Sequence, residues 1–242
     1  SETEHTELDD SAETPEPEPL PYTGSIRVLL KTDDFAGVLH ETVTLASENG
    51  SDLTLTDRDT GEMIEEGNHL ELTREENVLF LNGEPLDGTP RCQRVEAEDA
   101  RLQVVSLTRD AGHPIYEGTL EIWPTDDGFY LVNEVPLETY LAYVVPSEMP
   151  SGYSMEALKA QAVCTRTYAY QELETYAYPD CEAHVDDSVS FQVYGNTGRV
   201  ASTDRAVSET AGQILTYQGE PITAYYFSSS CGATGNQEVW WE

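Results

Sequence analysis

The sequence predicts an α+β fold with a β-rich N-terminal part, two central helices that carry the candidate site, and a β-rich C-terminal part. Short runs of alternating or continuous apolar residues, separated by turn residues, fill the first half of the chain. Apolar residues then recur at helical spacing after Pro136. The pattern lacks strand–helix–strand alternation, which argues against a doubly wound parallel fold.

The predicted strands of the N-terminal part are short and end at turn residues. Runs at 26–30, 41–47 and 52–57 have the alternating or apolar pattern of strands. Asn49-Gly50 separates two alternating runs and predicts a hairpin between them, because this dipeptide favours tight hairpin turns. Asn82-Gly83 marks another turn, and further strand-like runs continue to Pro136.

Two helices follow, joined by a short loop. The first has apolar residues at helical spacing over 137–145; Pro136 occupies the first helical position and Pro146 ends the helix. The second begins after Ser154, a favourable N-cap residue, and continues to Pro179. After Pro179 the runs at 189–195 and 212–227 predict a return to strands.

Charge and length constrain the class of protein. The 242 residues include 46 acidic and 12 basic side chains, a net charge of −34, which argues against nucleic acid as a partner. No run of 18 apolar residues is present, so the sequence predicts no membrane span. Eight of the first twenty residues are acidic and several others are proline, so residues 1–23 are predicted to be a disordered linker. We divide the rest into a β-rich subdomain at 24–127 and a second region at 128–242.

The four cysteines are widely spaced and form no C-x-x-C pair, so a structural zinc site is not indicated. Two alternatives remain open. In an exported protein, two of Cys164, Cys181 and Cys231 could form a disulfide; in a cytosolic protein, all four cysteines would be small buried residues.

The loop between the helices carries the most informative carboxylate. Glu148 lies between Pro146 and Pro150, which restrict the backbone around it. Lys159 and Arg166 are seven residues apart on the second helix and therefore share one face, with Gln161 nearby. This arrangement suits a general acid beside substrate-binding groups. The alternative is that the two cations only pair with an acidic surface.

These residues fall in motifs that resemble those of the stage II sporulation protein D (SpoIID/LytB) family. The motifs are LE-x-YL, V-P-x-EMP, LKAQA-x(3)-RTYA and QVY, and their combination at these spacings is highly specific. The resemblance is strong over residues 128–242 and looser over the β-rich region from residue 24. Some members of this family are lytic transglycosylases that cut the glycan strands of peptidoglycan, and others are described as enhancers of wall amidases.

The resemblance implies a role for individual residues. Glu148 matches the family's catalytic acid. Gln161 and Asp187 are candidate substrate-binding residues. The resemblance implies further substrate-binding positions at Lys159, Arg166, Gln192, Tyr194, Ser228, Ser230 and Thr234. The last three fall in a serine loop, S-x-S-G-G-x-T in the family. This sequence departs from that loop, with Cys231 in place of a glycine and Phe227 where a histidine often precedes the serines.

The metal cluster of some members is also absent from the sequence. Zinc-binding members carry Cys and His residues just before QVY, whereas only Cys181 and His184 remain here, offset from that pattern. We therefore predict no metal and no cofactor. Family members continue beyond the position of Glu242, which raises the expectation that a final segment is missing from this chain.

The mechanism implied by the resemblance needs one carboxylate, because the 6-hydroxyl of N-acetylmuramic acid acts as the nucleophile and gives a 1,6-anhydro product. Glu148 should then have a pKa raised by partial burial. Asp187 is the candidate for a second carboxylate, and its alternative is a loop-capping role.

Two functions follow as expectations. The first is a peptidoglycan lytic transglycosylase; the second is a non-catalytic wall-binding protein that enhances an N-acetylmuramoyl-L-alanine amidase. The expected partners are peptidoglycan glycan strands and other wall hydrolases. The expected location is extracytoplasmic, in the wall or anchored to the membrane through a segment upstream of residue 1.

Overall fold

A computed structural model of the protein describes residues 24–76, 78–86, 88 and 91–227. The predicted linker at 1–23 and the serine-loop residues lie outside the described residues. Strands dominate the N-terminal half and helices follow them, so the predicted α+β class is confirmed. The division into subdomains at residue 127 stays a prediction.

Among the described residues, twelve strands precede the first α-helix. They are β1 (Ser25–Leu30), β2 (Val43–Ser47), β3 (Leu53–Asp57), β4 (Met63–Gly67), β5 (His69–Glu75), β6 (Val78–Leu81), β7 (Glu84–Pro85), β8 (Gln93–Ala97), β9 (Leu102–Val104), β10 (Ile115–Tyr116), β11 (Thr119–Thr125) and β12 (Gly128–Pro136). The elements that follow are α1 (Leu137–Glu148), α2 (Met155–Glu172), β13 (Val185–Asp186), α3 (Ala201–Glu209), β14 (Thr216–Tyr217) and β15 (Glu220–Pro221).

The strands form two large sheets and one small hairpin. One sheet has seven strands in the order β13-β1-β12-β11-β8-β3-β4, and the other has six in the order β10-β9-β2-β5-β6-β7. Within these sheets, β1 and β13 pair in parallel and the other pairs are antiparallel. Strand β12 leads directly into α1, so the seven-stranded sheet determines where the helix that ends at Glu148 begins.

The apolar alternation of the strands fills a main core and a second, smaller cluster. In β2, Val43 and Leu45 are buried whereas Thr44 between them is half-buried, as expected when successive side chains point to opposite faces. The inner faces of both sheets and all three helices contribute to the main core, including Leu141 of α1 and Ala162 of α2.

The hairpin predicted at Asn49-Gly50 is wrong. Strand β2 belongs to the six-stranded sheet and β3 to the seven-stranded one, so the turn connects two sheets. Gly50 has a φ of 78°, which shows that the local turn chemistry was interpreted correctly. The choice of partner is set by which sheet each strand completes, and a local dipeptide carries no information about that choice.

The ends of the two central helices differ from the prediction. Helix α1 continues through Pro146 to Glu148 instead of ending at the proline. A proline in the last turn removes only one backbone donor, and the Met149 N–H still donates to the Val145 carbonyl at 2.9 Å. Helix α2 begins after Ser154, as predicted, but ends at Glu172 and does not continue to Pro179.

The C-terminal part has less strand than the sequence suggested. Residues 189–195, predicted as a strand, form a loop. The run at 212–227 contains only the hairpin of β14 and β15. Helix α3 was not predicted, because its nine residues are mostly polar and only Thr203, Ala206 and Val207 are buried.

A buried ion network lies across the seven-stranded sheet. The Glu121 carboxylate is inaccessible to solvent and pairs with Arg27 at 2.6 Å, Arg94 at 2.8 Å and Arg58 at 3.0 Å. Burial alone would raise the pKa of Glu121, but the hydrogen bonds and charges of these arginines lower it to about 2. Glu121 therefore stabilises the fold only while it is ionised.

The substitution Glu121→Gln should lower the free energy of unfolding by about 3 kcal/mol at neutral pH, because it leaves buried guanidinium groups without their counter-charge. Since the folded-state pKa is depressed, this stabilisation is present above the ordinary glutamate pKa and is lost as the pH falls towards 2. Urea unfolding at several pH values measures both effects.

Glu48→Gln is the matched control, because Glu48 forms a partly exposed pair with Arg101. It should cost less than about 1 kcal/mol. Equal losses for the two variants would contradict the role assigned to Glu121.

Candidate active site

Glu148 is the last residue of α1 and is half-buried. Its Oε1 atom accepts a hydrogen bond of 2.7 Å from the backbone N–H of Val193. The carboxylate is therefore fixed between the end of a helix and the 192–194 segment, which corresponds to the QVY motif. The prediction that Glu148 lies on a stiff element is consistent with this geometry, although the element is a helix end rather than a free loop.

Gln192 holds the 192–194 segment against the helices. Its Nε2 atom donates to the Thr165 carbonyl at 3.3 Å and to the Tyr226 hydroxyl at 3.1 Å. Its Oε1 atom accepts from the Tyr140 hydroxyl at 3.3 Å. The Gln192 side chain is buried, so it positions the Val193 amide and presents little surface to a ligand.

Tyr194 anchors the same segment from the other side. Its hydroxyl donates to Asn133 Oδ1 at 2.6 Å, and its ring packs on Tyr116, Tyr140 and Tyr143 with centroids 4.9–5.8 Å apart. The residue is fully buried. The structure places Tyr194 in the core, because its ring points towards the interior of the protein. The expectation that Tyr194 binds substrate is therefore not supported by its position.

A cavity of about 260 Å³ opens beside Glu148. Its lining is mainly aromatic and consists of Glu148, Tyr168, Val189, Ser190, Phe191, Tyr225 and Tyr226. Aromatic walls with one polar reacting group are typical of small-molecule and saccharide sites.

The environment of Glu148 favours its protonated form. Burial raises the pKa of Glu148, and only the hydrogen bond from Val193 N–H acts in the opposite direction. No cation in the described part of the chain lowers this pKa. The direction agrees with the prediction from the sequence.

Tyr226 lies close to Glu148. Burial raises the pKa of the Tyr226 phenol, and the negative charge of Glu148 raises it further. The phenol is therefore a neutral hydroxyl at physiological pH, placed beside the carboxylate in the same cavity.

The aromatic walls were missed by the sequence reasoning. Tyr225 and Tyr226 belong to the run AYYF, which was interpreted as a strand, and Tyr168 belongs to the motif RTYA. Three aromatic residues in succession near a serine loop were a usable signal, because a single strand face cannot bury all of them.

The two basic residues of α2 do not line the cavity. Lys159 pairs with Glu209 of α3 at 2.7 Å and with Glu156 at 3.3 Å. Lys159 and Arg166 do share one helix face, but that face meets α3. The expectation that Lys159 binds substrate at this cavity is therefore not supported by its position.

Arg166 is fully buried and connects three elements. Its guanidinium forms two hydrogen bonds with Glu138 of α1, at 2.7 and 2.8 Å. It also donates to the carbonyls of Val207 and Gln213 at 3.1 and 3.2 Å. This fork geometry explains why arginine is required, and it corrects the expectation that Arg166 lies along the cleft.

Gln161 and Asp187 are also internal. Gln161 is buried and donates to Thr165 Oγ1 at 3.0 Å. The Asp187 carboxylate has no exposed surface; it pairs with Arg109 at 2.5 Å and accepts the Lys31 N–H at 3.0 Å. It therefore ties loops together and cannot reach a ligand as a second carboxylate. The roles of Ser228, Ser230 and Thr234 fall outside the described residues and stay predictions.

The described cysteines are not bonded to one another. Cys92 and Cys181 are buried, Cys164 is half-buried, and all three are free thiols. Among the residues described, no group of three or more His, Cys, Asp or Glu side chains is placed to hold a metal ion. His184 accepts the Arg27 N–H through Nδ1 at 3.0 Å.

The fold and the site together define a class: a strand-rich α+β protein with a half-buried carboxylic acid in an aromatic cavity. Residues 125–217 match the model of the stage II sporulation protein (SpoIID) family. This region is therefore similar to that family, in agreement with the sequence motifs.

Three curated relatives support this assignment. The amidase enhancer of Bacillus subtilis is 45% identical over 98 residues, which is 40% of this chain and 13% of the relative. The stage II sporulation protein D of the same organism is 38% identical over 125 residues, 46% of this chain and 36% of the relative. A protein of Brachyspira hyodysenteriae is 40% identical over 118 residues, 48% of this chain and 32% of the relative.

The aligned regions thus span about a third or less of these relatives. In the described part of this chain, every helix is too short or too polar to cross a membrane.

Replacing Arg166 with alanine should lower the free energy of unfolding by about 3–5 kcal/mol, because Glu138 and two backbone carbonyls lose their buried partner. Lys159→Ala should leave stability close to that of the wild type, because the Lys159 side chain is partly exposed. Thermal and urea unfolding of the two variants test the distinction. A similar, small effect of both substitutions would show that Arg166 is not an internal connector.

Proposed function

We propose that this protein is a peptidoglycan lytic transglycosylase and that Glu148 is its general acid. The observation that carries the proposal is a half-buried carboxyl group whose pKa is raised by burial, in an aromatic cavity whose described lining includes no basic side chain. Such a group stays protonated at a higher pH than an exposed glutamate, which is the property that a proton donor needs.

The chemistry needs a single carboxyl group, which first donates a proton and then accepts one. Glu148 donates its proton to the glycosidic oxygen as the bond from this oxygen to the anomeric carbon of N-acetylmuramic acid breaks. The 6-hydroxyl oxygen of the same sugar attacks that carbon and returns its proton to Glu148. The product is a 1,6-anhydro sugar, and the enzyme is regenerated without a water molecule.

The cavity lining fits this one-carboxylate scheme. Among the described residues that line the cavity, Glu148 is the one carboxylate. Ordinary glycoside hydrolysis uses two carboxylates that flank the bond. Asp187, the alternative second carboxylate, is buried in its ion pair with Arg109.

The aromatic walls would bind the sugars that flank the cleaved bond. Tyr168, Phe191 and Tyr225 present ring surface in the cavity, and Tyr225 is mostly exposed. The apolar faces of sugar rings pack on aromatic rings. The hydroxyl groups of the sugars can form hydrogen bonds with a phenol.

The cellular setting follows from the substrate. The glycan strands of peptidoglycan are extracytoplasmic, so we propose that the protein acts there, in the wall or anchored through a segment upstream of residue 1. Relatives named for sporulation and for enhancing an amidase are consistent with wall remodelling alongside other hydrolases.

Glu148→Gln should abolish the release of 1,6-anhydro ends from purified glycan strands, with a fall in rate of at least about a hundredfold, because glutamine cannot donate a proton. Mass spectrometry of the digested strands measures these ends. Glu156→Gln removes the same charge from an exposed position at the start of α2 and is the matched control. Wild-type activity in the control and loss in Glu148→Gln are both expected.

The absence of anhydro ends with the wild-type protein, or their undiminished release by Glu148→Gln, would refute the proposal.

A second candidate function is a non-catalytic wall-binding protein that enhances an N-acetylmuramoyl-L-alanine amidase. The observation that favours it is the 45% identity to a protein named amidase enhancer. One variant distinguishes the two functions experimentally. Stimulation of a purified amidase that is equal for the wild type and Glu148→Gln, without anhydro products, would favour the enhancer.

A further inference from the structure

One face of α2 carries a line of polar and aromatic residues. Gln161, Thr165, Tyr168 and Glu172 are spaced four, three and four residues apart, so they lie on one side of the helix. Gln161 donates to Thr165 Oγ1, and the Thr165 carbonyl accepts from Gln192. Tyr168 lines the cavity beside Glu148. Glu172 continues this face one helical turn beyond Tyr168.

The Glu172 carboxylate is half-buried. Within the described part of the chain, no hydrogen bond or ion pair holds it. Burial raises its pKa, and no cation opposes this effect. Other acidic residues of this region differ: Glu138 pairs with Arg166, and Glu209 pairs with Lys159.

A carboxylate that stays unpaired in a protein is available to a ligand. Glu172 is close enough to Tyr168 for its charge to raise the pKa of that phenol after the larger effect of burial. The ring of Tyr168 lies 6.1 Å from that of Tyr225, centroid to centroid. A carboxylate near one phenol ring, with a second phenol ring next to the first, suits an ammonium group, because the carboxylate pairs with its charge and the ring faces attract cations.

The charge of the whole protein acts in the same direction. A net charge of −34 attracts cationic ligands and repels anionic ones. Neither basic residue of α2 competes for the Glu172 position, because Lys159 and Arg166 pair with other acids.

We propose that Glu172, with Tyr168 and Tyr225, forms a subsite for an ammonium group on the glycan ligand. The group is either the free amine of an amino sugar that has lost its N-acetyl group or the side-chain amine of a diamino acid in a stem peptide. The inference rests on the proposed function in one respect, namely that the ligand is a wall saccharide. It adds a preference for cationic ligands that proton donation by Glu148 does not require.

Binding can be measured by isothermal titration calorimetry in a Glu148→Gln background, which prevents cleavage and leaves Glu172 as the carboxylate of interest. Three probes are compared: a glucosamine tetramer with free amines, the fully N-acetylated tetramer, and a lysine-containing stem peptide. We expect the free-amine tetramer or the peptide to bind about three- to tenfold more tightly than the acetylated tetramer. The probe that shows the gain identifies the source of the amine.

Adding Glu172→Gln should remove this preference, whereas Glu174→Gln should keep it. Glu174 is an exposed acid two residues further along the chain and is the matched control. Thermal unfolding of each variant verifies that it is folded. Equal affinity for all probes, no measurable binding of any of them, or a preference that survives Glu172→Gln would overturn the subsite.

The two proposals fail separately. The release of anhydro ends by the protein with Glu148 intact decides the transglycosylase. The amine preference in the inactive background decides the subsite, whether or not the protein cleaves glycan strands.

Discussion

The hydrogen bond from the Val193 N–H to the Glu148 carboxylate is the interaction on which the site depends. It joins the end of α1 to the 192–194 segment at 2.7 Å. That segment is itself fixed because Gln192 and Tyr194 direct their side chains into the protein. The motif around QVY therefore serves the site mainly through its backbone: two buried side chains hold one amide in position, and this amide orients the acid.

Keeping a carboxyl group protonated requires that cations stay away from it, and the basic residues of the site region are already paired. Arg166 is bound by Glu138, Arg109 by Asp187, and Lys159 by Glu209. Each of these pairs joins separate parts of the chain, so the same contacts that stabilise the fold also give these cations a partner other than Glu148. Glu148 remains with burial as the main influence on its pKa.

The sequence predicted the fold class, the N-cap at Ser154 and the raised pKa of a partly buried Glu148, because each depends on local spacing and residue type. It did not predict which face of α2 meets the cavity. Lys159 and Arg166 looked like ligand-binding cations because helical spacing shows that residues share a face but not what that face contacts. The inward position of Tyr194 and the aromatic walls depend on tertiary packing in the same way.

The central claim is that burial keeps Glu148 protonated up to a higher pH than an ordinary glutamate. Titration of the Glu148 side chain tests this claim most directly. Carbon-13 NMR of protein labelled at the glutamate carboxyl carbons, with Glu148→Gln to assign the signal, gives the pKa of this one group. Our account predicts a value above the ordinary 4.5. A value at or below 4.5 would contradict it, because the carboxyl group would then be ionised when a proton must be donated.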